Sequence, residues 1–181
     1  MNEPVESSLR RGAVLTLVQG SMRRRDYELR GGDRAVGRLR FPPGRRSMAE
    51  AEGNEVGHLV LTSSSEGIQV RSGEGDATVA TVERDRRGSA VIRLTRRSPM
   101  RWHRAGRWHR WAIGSGEADL LRFTATQGLL RSSVRITAQQ DIPEPTVVLL
   151  CLIGGFLALG ELQAEIDGSA AIGGIVAAGA G

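Results

Sequence analysis

The run TVVLLCLIGGFLALG, residues 146–160, decides how this chain folds, because it is the one strongly apolar stretch in an otherwise polar and basic sequence. A helix that is apolar all round must be enclosed, either by lipid or by protein. Between Glu144 and Glu161 stand 16 uncharged residues. As a helix they span about 24 Å, short of the roughly 30 Å hydrocarbon core of a bilayer. The flanking Asp141, Glu144, Glu161, Glu165 and Asp167 are acidic, and no Arg, Lys, Trp or Tyr stands beside them to hold a membrane interface. Asp141 and Glu144 have capping-box spacing, and Pro143 and Pro145 fall where N–H groups lack intrahelical partners. The stretch therefore predicts a helix over 142–160 enclosed by protein, with a membrane span of 146–160 as the alternative.

What encloses it is read from residues 12–138. There, short alternating apolar runs are separated by Gly, Asp or Ser, the pattern of strands and turns. In DYELRGGDRAVGRLRF (26–41), Tyr27 and Leu29 share one face, and Gly31, Gly32 and Asp33 form the turn. Ala35, Gly37, Leu39 and Phe41 then line one face of the returning strand, leaving Arg38 and Arg40 to water. Further strands are expected at 13–19, 47–52, 55–62, 67–72, 77–83, 89–95, 99–104, 107–113, 117–125 and 129–138. No helical segment long enough for a parallel crossover lies between them, so the predicted class is all-β with one helix, an antiparallel barrel of roughly twelve strands. A closed barrel of that size has a lumen too wide for its own side chains. A helix about 10 Å across fills it, and Gly154, Gly155, Ala158 and Gly160 let that helix sit close to crowded inward side chains.

A length of 181 residues suits one domain, and the 24 glycines recur at short intervals, implying many turns. The expected organisation is a disordered lead at 1–11, the barrel at 12–160 with its central helix at 142–160, and a Gly/Ala-rich tail at 161–181. The lead MNEPVESSLRR carries acids and no following apolar region, unlike a secretory signal. The single cysteine, Cys151, excludes an intrachain disulfide and points to the cytoplasm. Within so apolar a run its thiol is a poor nucleophile, because burial raises a thiol pKa.

Charge is unevenly distributed. All 25 basic residues are Arg; residues 1–140 hold every one of them against 15 acids, whereas 141–181 hold five acids and no base. Basic runs at 23–25, 45–46, 84–87 and 96–97 fall in predicted turns. Their joint field favours polyanions and anionic membranes, through a guanidinium suited to bidentate phosphate contacts.

The densest aromatic and basic stretch is RWHRAGRWHRW, residues 101–111, with all three Trp and two of the three His. With Ala105 and Gly106 as a two-residue hairpin turn, Arg104 opposes Arg107, Trp102 opposes His109 and Met100 opposes Trp111, and that face looks inward with Ile113. The outer face then carries Arg101 opposite Arg110 and His103 opposite Trp108. Like charges facing each other repel, and an anion lying over them relieves the repulsion. The predicted anionic-surface site is accordingly Arg101, His103, Trp108 and Arg110, with Trp108 able to sit at a membrane interface or stack on a base. His58, His103 and His109 lack metal-ligand spacing, and no nucleophile-elbow, Walker or dinucleotide motif is present. No catalytic residue, metal or cofactor is expected.

The segments YELRGGDRAVGRLRFP, RSMAEAEGNEVGHLVL and DIPEPTVVLLCLIGGFL, within residues 12–160, resemble the tubby C-terminal-like superfamily, in particular its LURP-one-related and phospholipid-scramblase branch and bacterial relatives. The resemblance implies a twelve-stranded barrel around a hydrophobic C-terminal helix. It transfers no phosphoinositide site, because this chain has no Lys. The acidic calcium segment and clustered lipidated cysteines of scramblases are also missing. The function expected is a non-enzymatic scaffold or binding module that contacts anionic phospholipid surfaces through Arg-rich loops. Its expected partners are anionic membrane lipid or another protein, and it is expected to be a monomer peripheral to the membrane. Two alternatives accompany it: a C-terminally membrane-anchored protein with a cytoplasmic β-domain, and a basic nucleic-acid-binding protein.

Overall fold

The computed structural model describes residues 8–21, 24–44, 47–85, 89–95, 97–128 and 131–178, with helix side chains as far as Asp167. The elements in chain order are β1 (Ser8–Leu9), β2 (Val14–Ser21), β3 (Arg24–Gly31), β4 (Arg34–Arg40), β5 (Met48–Gly53), β6 (Gly57–Ser64) and β7 (Gly67–Ser72). They continue with β8 (Thr78–Arg84), β9 (Ala90–Leu94), β10 (Met100–Arg104), β11 (Arg110–Ser115), β12 (Ala118–Gln127), β13 (Ser132–Ala138), β14 (Ile142–Pro143) and α1 (Glu144–Ala178). Strands β2 to β13 form a closed antiparallel barrel in which chain neighbours pair and β13 returns to β2. Closure leaves no unpaired barrel edge, and alternation along each strand supplies an apolar inner face.

Through the barrel runs α1, enclosed by protein as the sequence reading expects. Val147, Val148, Leu150, Cys151, Leu152, Ile153, Phe156, Leu157, Leu159 and Leu162 are all buried, and they join the inward residues of the strands in one core. Pro145–Asp167 is long and apolar enough to cross a membrane, yet most of it is buried inside the barrel. Two glycines permit the fit: a Cβ at Gly154 would overlap the Phe123 ring, and one at Gly155 would overlap Leu17 Cδ1. Phe156 stacks on Phe41 at 5.7 Å between centroids, locking the helix against β4's outgoing chain.

Four expectations need correction. The helix does not stop at residue 160: it continues to Ala178, through most of the segment expected as a tail. Ser8 and Leu9, placed in the expected lead, pair with Pro143 and Ile142 as a small two-stranded sheet, while residues 1–7 lie outside those described. Ala35, expected to face inward, is exposed, because the β3–β4 register shifts between Leu29 and Arg30 and Val36 becomes the buried residue. The capping expectation also changes partner: Asp141 Oδ1 accepts a hydrogen bond from the Arg11 backbone N–H at 2.7 Å, tying the chain before β2 to the start of the helix.

Candidate functional site

Antiparallel alternation sorts the connections between two ends. β13 leads into α1 at one end, and the β3–β4, β5–β6, β7–β8, β9–β10 and β11–β12 connections share it. The helix leaves at the other end, which the β2–β3, β4–β5, β6–β7, β8–β9, β10–β11 and β12–β13 connections cross. The helix-start end carries Asp33, Glu55, Glu74, Asp76, Glu117 and Asp141, together with Arg10, Arg11, Arg34 and Arg97. The helix-exit end carries Arg25, Arg40, Arg84, Arg104, Arg107, Arg110 and Arg131, with Glu66, Asp85, Glu161 and Glu165 as its acids. Of the basic runs expected in turns, Arg23, Arg45, Arg46, Arg86, Arg87 and Arg96 lie outside the described residues.

The β10–β11 connection builds the helix-exit mouth. Its register differs from the expected hairpin: Arg101 pairs with Gly114, Trp102 with Ile113, His103 with Ala112 and Arg104 with Trp111. Residues 105–109 therefore form a longer loop in place of a two-residue turn, closed by Ala105 N–H donating to the Arg110 carbonyl at 3.0 Å. Trp108 and His109 adopt left-handed φ values of 55° and 51°, which non-glycine residues seldom hold. The apolar members of the inward face survive the slip, because an even shift preserves side-chain parity: Met100, Trp102, Trp111 and Ile113 are all buried, whereas Arg104 and Arg107, expected on the same face, are exposed and His109 is half-buried.

The predicted site does not assemble as drawn. Arg101 does not face Arg110, nor does His103 face Trp108. Arg101 and His103 line a shallow depression with Gly116, Glu117 and Asp119 toward the helix-start end. His103 Nε2 lies 3.3 Å from Asp119 Oδ1, and its Nδ1 is buried without a hydrogen-bond partner. Trp108 stands apart in the exit loop, 81% exposed, and Arg110 opens β11 beside it.

Two residues at the mouth, Glu161 and Glu165, carry more of the geometry than the sequence reading gave them. Spaced i, i+4, they share one helix face. Trp102 Nε1 donates to Glu161 Oε1 at 3.2 Å and Trp111 Nε1 donates to Glu161 Oε2 at 2.6 Å, so two buried indoles grip one carboxylate. The indoles stack at 5.9 Å, with Phe123 edge-on to Trp102. One turn on, Arg104 donates to Glu165 Oε1 at 2.9 Å. His109 Nδ1 lies 3.2 Å from Glu165 Oε2, close enough for an ion pair but not aligned as a hydrogen bond. The signal in the sequence was acids one helical turn apart after the apolar run, with Trp, Arg and His clustered elsewhere to receive them.

Two hollows flank this girdle. A groove of about 670 Å³ is lined by Arg104, Arg107, Trp108, His109 and Glu165. A smaller cleft of about 170 Å³ lies between Arg84, Asp85 and Ser89 on one side and Trp102 and Glu161 on the other. Among the described residues, no cluster of His, Cys, Asp and Glu is placed to hold a metal ion. Burial pushes the Cys151 thiol well up, which keeps it protonated in the barrel interior. Comparison with known proteins gives no match to any family, curated protein or solved structure.

Proposed function

We propose that the chain is a non-enzymatic binding module that docks its helix-exit end on anionic phospholipid surfaces, as a peripheral, cytoplasmic monomer. The observation that carries this reading is an uneven distribution of charge: among the described residues arginines outnumber acids at the end where the helix emerges, and an indole is held out in water among them. Juxtamembrane basic residues gain about 1 kcal/mol each near an anionic surface. An exposed Trp fits the interface between headgroups and chains. Tubby-like kinship is part of the same proposal, since a barrel around a hydrophobic helix is the architecture it implies.

Co-sedimentation with vesicles tests it. Phosphatidylcholine vesicles containing phosphatidylserine should retain the full chain, salt should weaken retention, and phosphatidylcholine alone should not retain it. Reversing Arg107 and Arg110 to Glu together with Trp108→Ala should weaken retention at least about tenfold, whereas Arg97→Glu at the opposite end should change it little. Equal losses from both ends would overturn the docking face. Tighter, steeply salt-dependent binding to duplex DNA would return the nucleic-acid reading, and a requirement for detergent would return the anchor.

A further inference from the structure

The cleft at the mouth presents opposite charges that do not meet. Arg84 and Glu161 both line its 170 Å³, yet among the described residues no ion pair joins them and no cation lies within ion-pair distance of Glu161. Glu161 is instead satisfied by two neutral indole N–H groups, which leaves its net charge uncompensated and part of its lone-pair capacity free. Arg84 is exposed, and among the described residues its guanidinium has no hydrogen-bond partner. On the Arg84 side of the cleft, Ser89 Oγ donates to Asp85 Oδ2 at 3.0 Å.

We infer that this cleft binds a small zwitterion that joins a primary ammonium to an oxyanion, of the phosphoethanolamine type. The ammonium seats against Glu161 and the aromatic wall of Trp102, where carboxylate attraction and a cation–π contact act together. The phosphoryl oxygens reach Arg84, whose planar fork suits them. The volume is adequate, since an apolar cavity of about 150 Å³ takes benzene. A plain cation leaves the Arg84 guanidinium without a partner, and a plain anion meets the carboxylates of Asp85 and Glu161; the zwitterion satisfies both signs. The same chemistry comes either free in solution or as the headgroup of an aminophospholipid, and the headgroup source rests on the docking reading above.

Titration of the Trp108→Phe full chain provides the test, because its remaining fluorescence comes from Trp102 and Trp111. O-phosphorylethanolamine should give a saturable change, at least about tenfold stronger than ethanolamine or inorganic phosphate alone. Glu161→Gln and Arg84→Ala should each weaken it about tenfold or more. Ala90→Val, which crowds the cleft from β9 without altering charge, should also weaken it and keeps the test valid where Glu161→Gln does not fold. No saturable change, or a response indifferent to Arg84 and Ala90, overturns the site. Phosphatidylserine-containing vesicles separate the two readings: binding of the soluble zwitterion without retention on them keeps the site and removes the docking face, whereas retention on them without any zwitterion response removes the site and leaves the docking face.

Discussion

The two ends of the barrel close by different means. At the helix-start end the chain is held by backbone: β1 pairs with β14, and the Arg11 N–H reaches Asp141. At the helix-exit end closure is by side chains: Trp102 and Trp111 hold Glu161, and Arg104 holds Glu165. Backbone pairing satisfies itself and offers little chemistry outward. A girdle of charged and aromatic side chains does offer it, and arginines and an exposed indole surround it. The difference teaches which end of a closed barrel to test for binding, even though both ends belong to one core.

The largest effect comes from removing what links the ends. A chain ending at Gln140 loses Val147, Leu150, Leu152, Ile153, Phe156, Leu157 and Leu159 from the core. At about 1.5–3 kcal/mol each, their burial is as large as the roughly 5–15 kcal/mol stability of a whole domain. Circular dichroism should show no cooperative melt, and a cooperative melt would show a self-sufficient barrel.

Next comes the contrast between the anchors. Glu161→Ala strands two buried indole donors, each costing about 1–3 kcal/mol, so urea unfolding should record a loss of about 2–6 kcal/mol. Asp141→Ala removes one acceptor at an exposed position, and its loss should stay below about 1 kcal/mol. Equal losses would erase the distinction between a side-chain end and a backbone end. Midway between them, Gly154→Ala should cost about 1–3 kcal/mol through its overlap with Phe123. Gly160→Ala, exposed and with nothing near its added Cβ, should gain up to about 1 kcal/mol in helix propensity.

Alkaline pH acts on the middle of the barrel. Burial raises the Cys151 thiol pKa in the folded state. The folded chain therefore keeps a proton that the unfolded chain releases above about pH 8.5, and the stability present below that pH falls as pH rises, by about 1.4 kcal/mol per unit. Urea midpoints between pH 7 and 10 should show this slope, and Cys151→Ala should reduce it. The smallest effect belongs to Glu165→Gln. Its partner Arg104 is 59% exposed in the pair, so the loss should lie within about 0–1 kcal/mol and vanish in high salt.

The barrel was legible because inward residues alternate with polar ones and glycines mark the turns, so even a misread register at 101–111 left Trp102 and Trp111 facing inward. That misreading had a local cause. Ala105-Gly106 looks like a two-residue turn, while the actual loop depends on Trp108 and His109 holding left-handed backbone, which their residue types do not advertise. Ser8 and Leu9 form too short a strand for any period to show. The helix end was misplaced because the apolar run stops at Gly160, whereas Glu161 and Glu165 extend it through partners about 50 residues or more upstream. Those acids read as flanks unsuited to lipid; their partners appear only once β10 and β11 are folded beside them.

Cys151 supplies the most direct test of the enclosed helix. An aryl disulfide reagent, added to the full chain in buffer without detergent, reads its exposure against the same chain in denaturant. Protection in buffer, released only as the barrel unfolds, is the predicted result. Prompt reaction of a chain that circular dichroism shows to be folded would place TVVLLCLIGGFLALG outside the barrel and contradict the architecture on which the two ends depend.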